Sequence, residues 1–251
     1  MQSLEVAWRP AKPRQVGLTV VNDRGVGRRT WEDAIDMAGA YVDVVKLGVG
    51  TAYVMQHLEQ KVEMLRAADI GVVLGGTLFE TYWVQGRVSA YGDLVRHLDL
   101  AWVEISAGSY DIPLEERERT VGEFASAFRV MAEVGAKDPG RQPAPEALSA
   151  EAARLRAAGA EKIILEGRGS GTGGMYSRQG TADEATLNAV LSRVALEDIL
   201  FEAPQEAQQI AFIRRFGPNV NLANIPFDDI LMLETQRLGL RFDTQMAGRS
   251  S

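Results

Sequence analysis

The chain has 251 residues, 46% hydrophobic and 24% charged, with a formal net charge of −7. That is the balance of a soluble globular protein with material for a sizeable core. There is no cysteine, and the two histidines are His57 and His97, which excludes disulfides and thiolate chemistry and speaks against a Ser-His-Asp site or a His-rich zinc centre.

The acidic surface, with no basic patch beyond the doublets Arg28-Arg29 and Arg214-Arg215, argues against nucleic acid. No apolar run approaches the roughly 20 residues of a membrane span. MQSLEVAWRPAKPRQ lacks the apolar stretch of a secretory signal, so a cytoplasmic location is expected.

In chain order, apolar strand-like runs alternate with helical patterns. GLTVV (17–21) precedes TWEDAIDMAGAY, where Thr30 reads as an N-cap and Glu32-Asp33 as first-turn acids. VDVVKLG (42–48) precedes LEQKVEMLRAA, whose Leu58, Val62 and Leu65 form a stripe, with Gly71 as the stop. IGVVLGG (70–76) and AWVEIS (101–106) follow, then DIPLEERERTVGEFASAF, which begins at Asp111 and Pro113. FRVMAEVG (128–135) leads into AKDPGRQPAPEALS (136–149), an open stretch that reads as a loop or lid. EKIILEG (161–167), DILFEAP (198–204) and NVNLANI (219–225) are the last three strands. Between the last two, PQEAQQIAFIRRFG reads as a helix from Pro204 to Gly217, and FDDILMLETQRLG closes the series.

Near-continuous Val, Ile and Leu fit parallel strands buried on both faces. About eight strand–helix repeats in this length give an α/β fold, a single (β/α)8 TIM barrel, with a doubly wound open sheet as the runner-up. The expected organisation is one barrel over 1–251, with an N-terminal extension over about 1–15 and a flexible tail over about 245–251. Packing of helix faces makes a homo-oligomer the default.

A barrel builds its site at the C-terminal strand ends. There the sequence places Asp23, Lys46, Gly75-Gly76-Thr77 with Glu80, Glu104 with Ser106, and Glu133 with Lys137. Glu166 with Arg168, Glu202, and Asn221 with Asn224 complete the ring. Oxygen ligands without histidine point to a hard cation such as Mg²⁺, with Glu104, Glu133, Glu166 and Glu202 as candidate ligands. Lys46, Lys137, Arg168 and Arg241 supply positive charge for a small anionic substrate.

Gly169, Gly171 and Gly174 spell G-x-G-x-x-G. A dinucleotide fingerprint opens a helix directly, whereas here the next helix starts only near Asp183. The preferred reading is a mobile loop whose free N–H groups, at Ser170 and Gly171 among others, close with Arg168 over an anion.

KLGVGT (46–51), VVLGGTLFE (72–80), VEISAGSYDIPLEER (103–117), ILEGRGSG (164–171), FEAPQEAQQIAFI (201–213), VNLANI (220–225) and ETQRLGLRFDT (234–244) together resemble the phosphosulfolactate synthase family. Plant heat-stress-associated proteins look like relatives of the same fold. The resemblance implies a (β/α)8 barrel lyase that uses Mg²⁺ to add sulfite to phosphoenolpyruvate, on the route to coenzyme M. It implies protonation at carbon 2 by a lysine, Lys46 on a strand or Lys137 on a loop, and a site including Gly75, Gly76, Thr77, Ser106, Ser170, Gly171, Asn224 and Arg241.

Four positions depart from the family pattern. Ala107 stands for Asp, Ala136 for Lys, Gly169 for Glu and Phe242 for Gly. They keep two other readings open: a barrel enzyme taking a different nucleophile or phospho-acid, and a non-catalytic stress-associated barrel.

Overall fold

The computed structural model describes residues 4–138 and 141–245. The tail expected from about 245 therefore lies, apart from Gln245, outside the described residues, as do two residues of the 136–149 stretch. Eight strands form one sheet: β1 (Thr19–Asp23), β2 (Val44–Leu47), β3 (Gly71–Leu74), β4 (Trp102–Ile105), β5 (Arg129–Val134), β6 (Lys162–Leu165), β7 (Ile199–Glu202) and β8 (Leu222–Pro226). Their hydrogen-bonded order is β3-β2-β1-β8-β7-β6-β5-β4, with every pair parallel. The ends of this order meet where the Trp102 ring lies over Gly71, close enough that a Cβ there would come within 3.0 Å of it. The fold is a nearly closed (β/α)8 TIM barrel, not an open doubly wound sheet.

The helices are α1 (Arg28–Ala38), α2 (Thr51–Val54), α3 (Leu58–Ala67), α4 (Gly76–Val84), α5 (Val88–His97), α6 (Leu114–Ala125), α7 (Pro145–Ala157), α8 (Glu184–Leu191), α9 (Glu206–Phe216) and α10 (Ile230–Arg237). Among the described residues, no helix is long and apolar enough to cross a membrane.

Alternation along each strand sorts the side chains into two cores. Val20, Val44, Val73, Trp102, Met131, Ile164 and Leu200 fill the barrel. Val21, Val45, Val72, Val103, Ala132, Ile163 and Phe201 pack outward against the helices. The same period carries Asn22, Lys46, Glu104, Glu133, Glu166 and Glu202 to the inside, one step above the inner apolar layer, and turns Asp23 to the outside.

Several local expectations change. β1 runs two residues further than expected, through Asp23. The first helix starts at Arg28 after Gly27, so Thr30 is no cap and its first turn holds no acid. Asp23 shortens the preceding turn by accepting the Gly25 and Val26 N–H groups, each at 2.8 Å. The stop after α3 is Asp69, with φ +55°. Asp69 N–H bonds to Arg66 O and Ile70 N–H to Leu65 O, a Schellman closure, while Gly71 opens β3. Pro204 sits outside α9, whose cap is Gln205, boxed with Gln208, and Gly217 ends it as expected. Part of the 136–149 stretch is α7, with Pro145 at its first position.

Candidate active site

At the C-terminal end of the barrel, the inward side chains line a cavity of about 240 Å³. That is below the roughly 300–1,000 Å³ of clefts that hold drug-sized ligands, and it suits a small molecule. Its lining includes Lys46, Gly75, Gly76, Thr77, Glu104, Glu133, Lys137, Glu166, Arg168, Glu202 and Asn224. Gly169 of the glycine-rich loop also lines it, and sequence reasoning missed Asn22, Arg24, Gly48, Val49 and Ser109. Strand alternation could have found Asn22, but no pattern marks the loop residues.

Glu104, Glu133, Glu166 and Glu202 are all buried. Lys46 Nζ lies 2.9 Å from Glu202 and 3.4 Å from Glu104. Burial opposes its charge, but Glu104, Glu202 and Glu133 outweigh that and hold its pKa well above the usual lysine value. Lys137 is more open. It donates to Thr77 Oγ1 at 3.4 Å and lies 3.8 Å from Glu80, and its pKa is raised because Glu133, Glu166 and Glu80 outweigh burial.

The carboxylates divide by environment. Burial, reinforced by Glu104 and Glu202 and only partly offset by Lys137 and Lys46, pushes Glu133 up to about 7. Burial, Glu133 and Glu202 raise Glu166 well above the ordinary range. Glu202 is also buried, but Lys46 and the Gly167 N–H keep it low. A raised pair beside a depressed neighbour is the pattern expected where a proton or a cation is held.

Glu104 Oε2, Glu133 Oε1 and Glu166 Oε2 are buried without a hydrogen-bond partner. Each such oxygen costs on the order of 1–3 kcal/mol unless something binds it. These hard oxygens fit a magnesium-type ion in their chemistry. Among the described residues, no three acidic or histidine side chains are already gathered into a ligating arrangement.

Three of the six left-handed non-glycine residues among those described lie at the same rim. Val49 (φ +48°), Arg168 (φ +55°) and Asn224 (φ +56°) are all left-handed, and all line the cavity. For a β-branched residue such as Val49 this is a true outlier. Strain of roughly 1–3 kcal/mol per residue persists where surrounding contacts enforce it, and it clusters at functional sites. Here the Glu166 carboxylate accepts the Arg168 N–H, and Asn224 bonds to both Asn22 and Glu202.

Other expected site residues fall elsewhere. Asp23 faces outward, where it pairs with Lys61 and accepts Trp31 Nε1 at 2.6 Å. Glu80 braces the loop after β4: it accepts from Ser106 Oγ, and from the Gly108, Ser109 and Tyr110 N–H groups at 3.1, 2.8 and 3.2 Å. Ser106 is thereby committed and does not line the cavity. Asn221 lies below β8, tied to Leu18, Glu197 and Ile199. Arg241 pairs with Glu206 and Asp243, outside the cavity.

The N–H groups of Gly75 and Gly76 are also taken, by Leu47 O at 3.0 Å and Glu104 Oε1 at 2.7 Å. The Gly-rich loop is tied down at several points. Gly167 N–H goes to Glu202 at 3.0 Å and Gly171 N–H to Arg168 O at 3.0 Å. Gln205 holds Ser170 O at 2.7 Å and Gln208 holds Gly171 O at 2.8 Å. Ser170 and Gly171 stay outside the cavity, and no helix opens there: α8 begins at Glu184 behind the Asp183 cap.

The described family of (2R)-phospho-3-sulfolactate synthase (ComA) matches residues 7–243. The chain belongs to the phosphosulfolactate synthase family. The phosphosulfolactate synthase of Bacillus subtilis (strain 168) is 40% identical over 246 residues, covering 96% of this chain and 97% of its own length. That of Methanocaldococcus jannaschii is 40% identical over 240 residues, covering 92% and 94%. These relatives are named as enzymes, and this chain is an enzyme of the same family.

Protein HEAT-STRESS-ASSOCIATED 32 of Arabidopsis thaliana is 26% identical, covering 91% of this chain and 88% of its own. Among solved structures, 3-hexulose-6-phosphate synthase of Salmonella typhimurium aligns with a TM-score of 0.54 at 13% identity, over 92% of this chain and 95% of its own. A dihydrodipicolinate synthase of Agrobacterium tumefaciens aligns at 0.57 and 12%, over 92% and 76%. These show the barrel alone.

Of the departures from the phosphosulfolactate synthase pattern, Ala107 and the buried Ala136 pack away from the cavity. Phe242 is 91% exposed. Only Gly169 lines the cavity, and a Cβ built there meets nothing within 4 Å.

Proposed function

We propose that this barrel joins sulfite to phosphoenolpyruvate to give 2-phospho-3-sulfolactate, with Mg²⁺. The observation that carries the reading is the depth ordering of the cavity: buried carboxylates with unpartnered oxygens and Lys46 at the floor, Lys137 on a loop above them, and two arginines toward the rim. The floor fits a cation shared with a substrate carboxylate, and the space fits a three-carbon acid.

In the proposed step the sulfur lone pair of sulfite bonds to the methylene carbon. The electrons of the double bond move on to carbon 2 and the substrate carboxylate. A divalent ion among Glu104, Glu133, Glu166 and Glu202 supplies charge stabilisation for that carboxylate. The carbon–sulfur bond forms, no bond to phosphorus breaks, and one proton is added at carbon 2.

Lys137 is the better donor of that proton. Lys46 is gripped by two carboxylates and releases its proton reluctantly, so it acts as a fixed charge. Lys137 starts protonated, is less enclosed, and stands on a loop braced through Thr77 and Glu80. Glu202, ionised, orients Lys46 and the Gly167 turn.

The test is direct. Purified protein given Mg²⁺, phosphoenolpyruvate and sulfite should form a sulfonate detectable by mass spectrometry and phosphorus NMR. A folded protein that forms none overturns the reading. Gly169 favours the second reading, a different nucleophile, because it leaves open space where the family pattern has a carboxylate. Turnover with another nucleophile and none with sulfite would establish that alternative.

A further inference from the structure

Four cations line the central cavity, and they are not equivalent. Lys46 is held by Glu202 and Glu104, and Lys137 by Thr77 with Glu80 nearby. The side chains of Arg24 and Arg168 have no hydrogen bond or ion pair among the described residues. Arg14 and Arg129 find the carboxylates of Asp43 and Glu161, while Arg29, Arg87, Arg178 and Arg193 are, among the described residues, unpaired on the surface. Arg24 and Arg168 differ from these in that both line the cavity. Two arginines without side-chain partners on the lining of one cavity are available to a ligand that brings the missing charge.

Both arginines stand on prearranged backbone. Asp23 takes the Gly25 and Val26 N–H groups, and Lys61, which pairs with Asp23, also bonds Val26 O at 2.6 Å. This buried brace fixes the loop that carries Arg24. Arg168 is fixed in its left-handed turn by Glu166, and its side chain lies across Gly173 where any Cβ would collide. Loops are thus set while both charged tips stay free, which lowers the ordering cost of binding.

Some of the backbone donors that would compete for an anion are already used. Gly76 N–H faces Glu104, Gly167 N–H faces Glu202, and the loop after β1 spends its N–H groups on Asp23. A phosphate at the floor would meet four carboxylates. At the rim it meets two forks, each able to give paired hydrogen bonds to phosphate oxygens.

We infer that Arg24 is a substrate-binding residue which, with Arg168, clamps the phosphate group of the substrate at the rim, so that the ligand sits carboxylate-down and phosphate-out. This rests on the proposed phosphoenolpyruvate reading and names the group that each end of the cavity takes. A second cavity of about 510 Å³ adjoins the clamp and shares Arg24 and Gly169 with it; its one carboxylate is Asp228. Asp228 opposes an anion there, and its removal favours one.

The test is calorimetric binding of phosphoenolpyruvate, inorganic phosphate and pyruvate to the parent, Arg24→Gln, Arg24→Lys and Asp228→Asn, with and without Mg²⁺. Arg24 is exposed, so its variants keep the fold. Arg24→Gln should weaken phosphoenolpyruvate and phosphate at least tenfold and leave pyruvate within twofold. Arg24→Lys should recover part of the loss, and Asp228→Asn should bind phosphate no more weakly than the parent.

In turnover, Arg24→Gln should raise KM for phosphoenolpyruvate about tenfold with kcat within threefold. Unchanged phosphoenolpyruvate affinity in Arg24→Gln overturns the clamp, as does equal weakening of pyruvate, or a parent protein that binds neither phosphate nor phosphoenolpyruvate. Turnover by the parent with an unaffected Arg24→Gln sinks the clamp alone. Arg24-dependent phosphate binding without turnover sinks the sulfite reaction alone.

Discussion

At the lower end of the barrel Arg237 is wholly buried, yet two of its three nitrogens reach carbonyls: Pro218 at 2.6 Å, Val220 at 2.7 Å and Leu18 at 3.2 Å. Around it Arg9 meets Glu234 at 3.1 Å, Arg14 meets Asp43 at 3.1 Å, and Lys162 bonds Gln15 O and Glu197 O at 3.1 and 2.6 Å. At the upper end Glu104, Glu133 and Glu166 are as deeply buried but each keeps an oxygen without a hydrogen bond, that of Glu104 lying 3.4 Å from Lys46 Nζ. The upper set stands on the strands or just beyond their ends, whereas the lower set stands mainly on the N-terminal segment and α10. Below, charge is mostly paired or hydrogen-bonded, with Arg237 Nε the exception, and it holds the N-terminal segment and α10 to the barrel. Above, charge is crowded, unsaturated and framed by left-handed backbone. Buried charge left incomplete costs stability and is retained where a ligand completes it.

The largest expected effect tests the upper end. Lys137→Ala should lower kcat by about 10²–10⁴-fold, the usual worth of a positioned proton donor, with a thermal midpoint close to the parent's. Loss of both together would make Lys137 a structural residue. The next tests the lower end. Arg237→Met strands buried carbonyls and should cost about 3 kcal/mol in urea unfolding, while kcat/KM per folded molecule stays near the parent value. A large loss of turnover at full folding would erase the division between the ends.

A third change should separate stability from activity in the opposite sense. Glu166→Gln removes a carboxyl whose ionisation burial and its acidic neighbours oppose, and supplies an amide donor toward Glu133. It should raise stability by roughly 1 kcal/mol and reduce turnover. A lower thermal midpoint would mean that the unpartnered oxygen is not a cost.

The smallest effect is in pH. Glu133 rises from an ordinary 4.5 to about 7 through burial. Its contribution is therefore present in full below about 4.5 and is lost as pH climbs through about 7. Glu133→Gln, measured by chemical unfolding without divalent ions, should gain on the parent between about pH 5 and pH 8. Mg²⁺ should flatten the parent's dependence. A variant that tracks the parent across that range would remove Glu133 from the proton-holding pair.

Much of the site was legible because a parallel barrel obeys two short rules. Apolar strands end in the layer where function sits, and alternate residues face inward. Those rules place Lys46, Glu104, Glu133, Glu166 and Glu202 without coordinates. Alternation also sends Asp23, beside the inward Asn22, outward to Lys61. The strand-end rule fails at Asn221, which lies below its strand. Loop residues follow neither rule. Ser106 goes to Glu80, Arg241 goes to Glu206, and Ser170 is held by Gln205, each through a partner distant in the chain. Arg24 carries no pattern and enters the cavity only because the loop after β1 folds over it.

The sequence by itself determined the barrel, the order of its elements and the chemistry of its inner face, because strand burial and side-chain alternation are local properties of the chain. Only the tertiary structure decided which charges are saturated and which are left open. That depends on which partners arrive from strands and loops tens of residues away, and on the depth at which each carboxylate loses water.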